Sequence, residues 1–259
     1  MLSLDFGRLA AGLQDYAWPF LRITGLVLTA PLLGASVVPR RAKLALVVLL
    51  TVALAPGVPK LATLEPLGAT ALLTAAQQLM IGASIGLCVQ IVFDALLLAG
   101  QLIATTMGLG YATLIDPNNG AGTAVVGQFF TIIGMLLFLA VDGHLLLLGV
   151  LADSFRWLPP GPEGFDGPGL STLLGLGGRM FEAGVMIALP AVMGLLLVNL
   201  ALGVVSRAAP QLNLFAVGFP ASMLLGLMML MLSLPALHGS FERLLADTLA
   251  AAAHVGGRP

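Results

Sequence analysis

The chain has 259 residues, of which 59% are hydrophobic and 9% charged, with a formal net charge of −1. A mean hydropathy of +1.05 lies far from the balance of an ordinary soluble domain. The near-neutral charge leaves no electrostatic footprint for nucleic acid and no polybasic tail for a lipid surface, and a single cysteine, Cys88, excludes an internal disulfide.

Near the start, Asp5 and Asp15 stand where a signal peptide needs a basic segment, so the chain is expected to keep its N-terminus. A first span is expected at 18–38, broken by Pro19 and Pro31 and ending at Pro39-Arg40-Arg41-Ala42-Lys43. The positive-inside rule puts that basic loop in the cytoplasm and the N-terminus outside. A second run, 44–58, stops at Pro56-Gly57-Val58-Pro59; its 15 residues are marginal for a span unless protein shields the helix, because crossing the hydrocarbon core takes about 20.

Residues 66–93 carry no Asp, Glu, Lys or Arg over 28 positions, and 208–241 carry none over 34. Runs of that length are membrane-embedded. A further span is expected at 122–141, continuing into the Leu-rich segment that follows. Between them, 94–121 is apolar but interrupted by Asp94, Gly100, Gly108, Gly110 and Asp116-Pro117-Asn118-Asn119-Gly120. It reads as another full span or as a re-entrant helix and loop. The re-entrant reading is preferred, since it leaves Arg207 on the same side as the basic loop at 39–43.

Residues 152–178 read as an extended polar loop, because Pro159-Pro160-Gly161-Pro162 and the glycines after it sustain neither helix nor sheet. Two helices follow, 180–206 and 211–238, joined through Ser206-Arg207-Ala208-Ala209-Pro210 as a hairpin. The tail from Glu242 reads as a short amphipathic helix that frays at the C-terminus. The fold class is therefore an all-α integral membrane protein, a bundle of broken, Gly- and Pro-rich helices with a C-terminal hairpin.

Gly contributes 32 residues and Pro 16, many inside the spans. In hydrocarbon, a broken helix survives only where protein or a water-filled cavity satisfies its freed backbone groups. This implies either close packing within the chain or a subunit mostly covered by partners. Gly82 and Gly86 are four apart, the spacing that lets helices approach closely. The intramembrane ionisable residues Asp94, Asp142, His144, Arg179, Glu182 and Arg207 are functional candidates by default, although most lie near run ends where snorkelling relieves the cost. Arg179 and Glu182, three apart, are expected to pair at a helix start. No catalytic motif is present: there is no Gly-x-Ser-x-Gly, His-Glu-x-x-His or Walker A sequence. His144, His238 and His254 lack metal-ligand spacing. The chain does not read as an enzyme, and no cofactor is expected.

Two stretches are more particular than generic membrane sequence. One is Met107-Gly108-Leu109-Gly110-Tyr111-Ala112-Thr113-Leu114-Ile115-Asp116-Pro117. The other runs from Asn199 through Ser206-Arg207-Ala208-Ala209-Pro210-Gln211 to Phe219-Pro220. With Phe138-Leu139-Ala140-Val141-Asp142-Gly143-His144 and Trp18-Pro19-Phe20-Leu21-Arg22, they resemble the FliR family of flagellar export proteins nearly end to end. This family has counterparts in virulence-associated type III secretion. The resemblance implies a non-enzymatic subunit of an inner-membrane export gate in the flagellar basal body. It would be assembled as one copy with several copies of FliP and FliQ, with FlhB as a further partner and unfolded flagellar proteins as cargo. It further implies that 1–179 is FliP-like and 180–250 a FliQ-like hairpin, with part of the assembly above the membrane plane.

By the same resemblance, 105–121 matches a loop that plugs the closed channel, with Met107, Gly108, Leu109, Gly110, Tyr111, Leu114 and Ile115 forming the seal. Phe is common in the family at the positions of Tyr111 and Leu114, and the residues here keep apolar bulk. Asn199, Arg207, Pro210, Gln211, Phe219 and Pro220 would organise the hairpin bend and assembly. A rival reading is a secondary transporter of a small solute, with Asp94 and Asp142 as coupling residues. It predicts inverted-repeat halves, and none is visible.

Overall fold

A computed structural model describes residues 6–35, 37–59, 68–109, 125–161, 167–208 and 214–258. Among these residues the chain is helical and contains no strand, as an apolar chain must be when every backbone group in lipid needs an internal partner. The helices are α1 (Phe6–Thr29), α2 (Arg40–Leu54), α3 (Ala69–Thr106), α4 (Val125–Ala140), α5 (Gly143–Trp157), α6 (Gly167–Ala208) and α7 (Leu214–Val255), with a short 3-10 turn at Ala55–Gly57. Three segments are long and apolar enough to cross a membrane: Ala69–Thr106, Gly169–Ala208 and Gly218–Pro235. The pair α4–α5 makes a fourth if counted as one broken span. The protein is an all-α membrane protein.

Several expected boundaries move. The first helix ends at Thr29 and turns at Pro31 rather than running to 38. Asp94 and Gly100 do not interrupt anything: α3 continues through both to Thr106. Gly100 is instead a packing residue, with Gly127 of α4 so close that a Cβ would strike its Cα. The expected span at 122–141 does not continue into the Leu-rich segment. It stops at Ala140, and Asp142 takes a left-handed conformation (φ 54°) before α5 begins. Polar loop 152–178 is shorter than its composition suggests, because α5 runs to Trp157 and α6 starts at Gly167. The tail is not a separate helix, since α7 runs unbroken through Glu242 to Val255.

The chain divides into two compact units, one of Met1–Ile91, Asp142–Gly177 and Leu245–Pro259, the other of Val92–Val141 and Gly178–Leu244. In the first, α1 crosses α3 at backbone contact. Gly25 of α1 faces Leu79 and Ala83, while Gly82 and Gly86 of α3 face Arg22, Leu26 and Ala30. The close approach expected from Gly82 and Gly86 is therefore made within the chain. Thr29 Oγ1 donates to Ala83 O across the crossing (2.9 Å). Ile23, Leu26, Ile81, Ile85 and Leu151 are completely buried or nearly so. The unit's C-terminal end is closed by a left-handed Gly257 (φ 93°), with Gly257 N donating to His254 O and Arg258 N to Ala253 O.

Arg22 sits at the centre of the first unit with no exposed surface. Its Nε donates to Gln78 Oε1 (2.8 Å), Nη1 to Ser154 O (2.9 Å) and Ser154 Oγ (3.1 Å), and Nη2 to Leu158 O (2.8 Å). The guanidinium lies 4.4 Å from the centre of the Phe155 ring. The cation thus caps the last carbonyls of α5, where the helix dipole is negative, and stacks on an aromatic face.

In the second unit, Phe93 of α3 meets Phe138 of α4 and Phe241 of α7 edge to face, at 5.7 and 6.4 Å between ring centres. Gly184 of α6 lies against Leu98 and the Ala95 carbonyl, and Gly194 lies against Met229 of α7. The hairpin helices are far less covered than α3: 17% and 22% of their most apolar windows are buried, against 61% for α3. Phe181, Met186, Leu197, Leu200, Leu224 and Met231 all stand exposed.

Candidate functional site

The end of α3 leaves carbonyls without an α-helical partner, and those of Ala104, Thr105, Thr106 and Met107 are satisfied by three devices. Gly108 adopts a left-handed conformation (φ 84°), which lets Leu109 N donate to Ala104 O (3.0 Å) and Gly108 N to Thr105 O (3.1 Å). This is the glycine-terminated helix end known as the Schellman motif. The next two carbonyls are taken by the hairpin. Asn199 Nδ2 of α6 donates to Thr106 O (3.2 Å), and the single Ser222 Oγ proton of α7 is shared between Met107 O (3.3 Å) and Phe219 O of its own helix (3.0 Å).

Met107 is buried beneath this cap. Its side chain fills the space where Gly226 of α7 has no Cβ, which would lie 2.5 Å from Met107 Cγ and 2.8 Å from Sδ. Ser222 and Gly226 are four apart, so one face of α7 offers a donor and a socket to the same residue. The point from which the chain leaves α3 toward residue 110 is therefore held by both helices of the hairpin. Replacing Gly108 with alanine forces a Cβ into a left-handed backbone, at a cost of about 1–2 kcal/mol. The expected result is faster amide exchange confined to residues 104–109, measured by hydrogen–deuterium exchange, with the rest of α3 unchanged.

Of the residues expected to form a plug, Met107, Gly108 and Leu109 belong to this anchored terminus. Gly110, Tyr111, Leu114 and Ile115 lie outside the described residues, as do Pro210 and Gln211 of the hairpin bend. Asn199 was singled out for the hairpin, and its observed partner is the end of α3. Arg207 is exposed in the last turn of α6, where a cation suits the helix dipole. Phe219 and Pro220 are exposed in the early part of α7.

The intramembrane polar residues are divided between the two units. Asp94 is half-buried on α3 in the second unit. Arg179 and Glu182 are exposed on α6 and make no ion pair with each other. Nor do they stand at a helix start, because α6 begins about three turns earlier, at Gly167. Asp142 and His144 belong to the first unit. Asp142 is not on a helix at all: it is exposed at the break, where its carbonyl accepts from Leu145 N and Leu146 N and so starts α5. His144 is half-buried, its Nδ1 enclosed without a partner.

In the sequence Gly226 reads only as one of the glycines inside the spans, and Ser222 four residues before it carries no motif of its own. Arg22 was noted only as part of a resemblance. Its role depends on Gln78, Ser154 and Leu158, which no local pattern connects to it.

The family model described as bacterial export proteins, family 1, matches residues 13–248. The chain belongs to that family. A flagellar biosynthetic protein FliR from Pectobacterium carotovorum is 39% identical over 247 residues, covering 95% of this chain and 94% of the relative. FliR of Escherichia coli K12 is 36% identical over the same shares, and FliR of Aquifex aeolicus is 34% identical over 83% of each chain. This chain is thus a FliR-family export protein of flagellar biosynthesis. The relatives are named for flagellar biosynthesis and the family for export, not for a catalysed reaction. The family match takes in the anchored α3 terminus and both hairpin helices.

Proposed function

We propose that this FliR-family chain is a subunit of the flagellar export gate. In this reading it joins FliP and FliQ in the bacterial inner membrane to form the channel core through which unfolded flagellar proteins leave the cytoplasm. One copy stands among several of each partner, and FlhB docks on the assembly. Residues 1–179 take the FliP-like role and 180–250 the FliQ-like role. The driving energy comes from partners and the proton-motive force.

The observation that carries this reading is the anchored terminus of α3. A plug must start from a fixed point if it is to seal a pore, and here that point is tied to α6 through the Thr106 carbonyl, to α7 through the Met107 carbonyl, and to α7 again by a buried methionine against Gly226. The sparsely covered apolar faces of α6 and α7 supply the surface that neighbouring subunits would need. In this account 105–121 closes the channel by filling a constriction with compliant apolar side chains. Truncating Met107, Tyr111 or Leu114 to alanine is expected to raise ion leak across the membrane of cells making the assembled gate. Leak equal to wild type in all three variants would remove the plug role.

A further inference from the structure

We propose that α2 carries a binding strip for one anionic phospholipid. Only Val47 and Thr51 of this helix are buried. Away from them Arg41, Leu44, Ala45, Val48, Leu49, Val52 and Ala53 line a shallow, open trough. These positions recur at three- and four-residue intervals, which places them on one helical face. Leu44, Val48, Leu49 and Val52 are 47% to 66% exposed, and Ala45 and Ala53 beside them are exposed as well.

Two features select a lipid as the occupant. The strip has a cation at one end only: Arg41 is exposed and lines the trough, whereas Lys43 is committed to the Gly34 carbonyl (2.8 Å) and Arg40 lies off the strip. From Arg41 to Val52 the helix rises about 17 Å, close to the thickness of one leaflet of hydrocarbon, about 15 Å. A guanidinium at headgroup level above one leaflet's depth of apolar surface matches a phosphate with an acyl chain beneath it. A purely apolar helix from another protein would cover Arg41 without a counter-charge, which is unfavourable. Arginine is also the better phosphate ligand, because its planar fork matches two oxygens.

The test uses the full-length chain extracted in mild detergent. Native mass spectrometry is run with phosphatidylglycerol and with phosphatidylcholine of identical acyl chains. The expected result is one phosphatidylglycerol retained at least fivefold more than phosphatidylcholine. Arg41→Gln should reduce retention to the phosphatidylcholine level, and Arg40→Gln should change it less than twofold. In parallel, phosphatidylglycerol with a photoreactive acyl chain is expected to label residues 44–53 of the wild-type protein. This second readout decides the matter if the Arg41 variant does not accumulate. Equal retention of the two lipids, equal effects of the two arginine variants, or absence of label from 44–53 would each overturn the proposal. So would cross-linking of a photoreactive residue placed at Leu49 to a co-purified protein instead of to lipid.

Discussion

Replacing Gly82 with alanine is expected to part α1 from α3. The added Cβ would strike the Arg22 carbonyl oxygen and lie 2.7 Å from its carbon. Those are backbone atoms, so no rotamer change relieves the clash and one helix must move. Moving it also disturbs Gly25 on Leu79 and Ala83, Gly86 on Ala30, and the hydrogen bond from Thr29 to Ala83. Overpacking of a well-fitted core costs about 1–3 kcal/mol, and a rigid backbone contact belongs at the upper end of that range. The expected readout is a severalfold fall in membrane-inserted full-length protein, measured by immunoblot of sedimented membranes. Gly178→Ala is the control: its Cβ meets nothing within 4 Å, and alanine favours the helix, so accumulation should stay level or rise. Equal loss in both variants would mean that α1 and α3 do not cross at this contact.

Arg22→Met is expected to have an effect of similar size for a different reason. Methionine keeps much of the bulk but leaves Gln78 Oε1 and Leu158 O without the donor that Arg22 provides. Each buried orphan costs about 1–3 kcal/mol, and the contact with Phe155 is lost as well. A loss of about 3 kcal/mol corresponds to a fall in Tm on the order of 6–12 °C for a chain of this size. Arg22→Lys keeps the charge but not the fork that reaches two elements at once, so it should recover little of the loss. Full recovery by lysine would mean that charge alone, not the four-bond geometry, holds α1 against α5.

Much of this architecture is visible in the sequence, and the failures share a cause. Membrane embedding follows from charge-free runs, and the hairpin of α6 and α7 follows from two such runs joined through Arg207. Asp94 and Gly100 read as interruptions because propensity treats a charge or a glycine as a break. In α3 the helical hydrogen bonds continue past both, and Gly100 is where Gly127 packs. The opposite error occurs at Asp142: an apolar run on both sides suggests continuity, while the left-handed backbone there ends one helix and starts another. Hydropathy averages over a window and cannot register a turn made by one residue.

The candidate site was legible in part. Met107 and Gly108 stood out as a particular sequence, and a glycine following an apolar run is a readable helix stop. Their support did not stand out, because Ser222 and Gly226 are more than 110 residues away and meaningful only beside Met107. Arg22 is harder still: its partners lie 56, 132 and 136 positions along the chain, and an arginine at an apolar run's edge otherwise reads as a snorkelling side chain.

In its proposed role this chain is one subunit of a heteromeric gate. Native mass spectrometry of the chain co-expressed with its FliP and FliQ partners tests it most directly. The account predicts a single stable complex with one copy of this chain among several copies of each partner. A chain that remains alone or forms a homodimer, with both partners present in the same membranes, would contradict it.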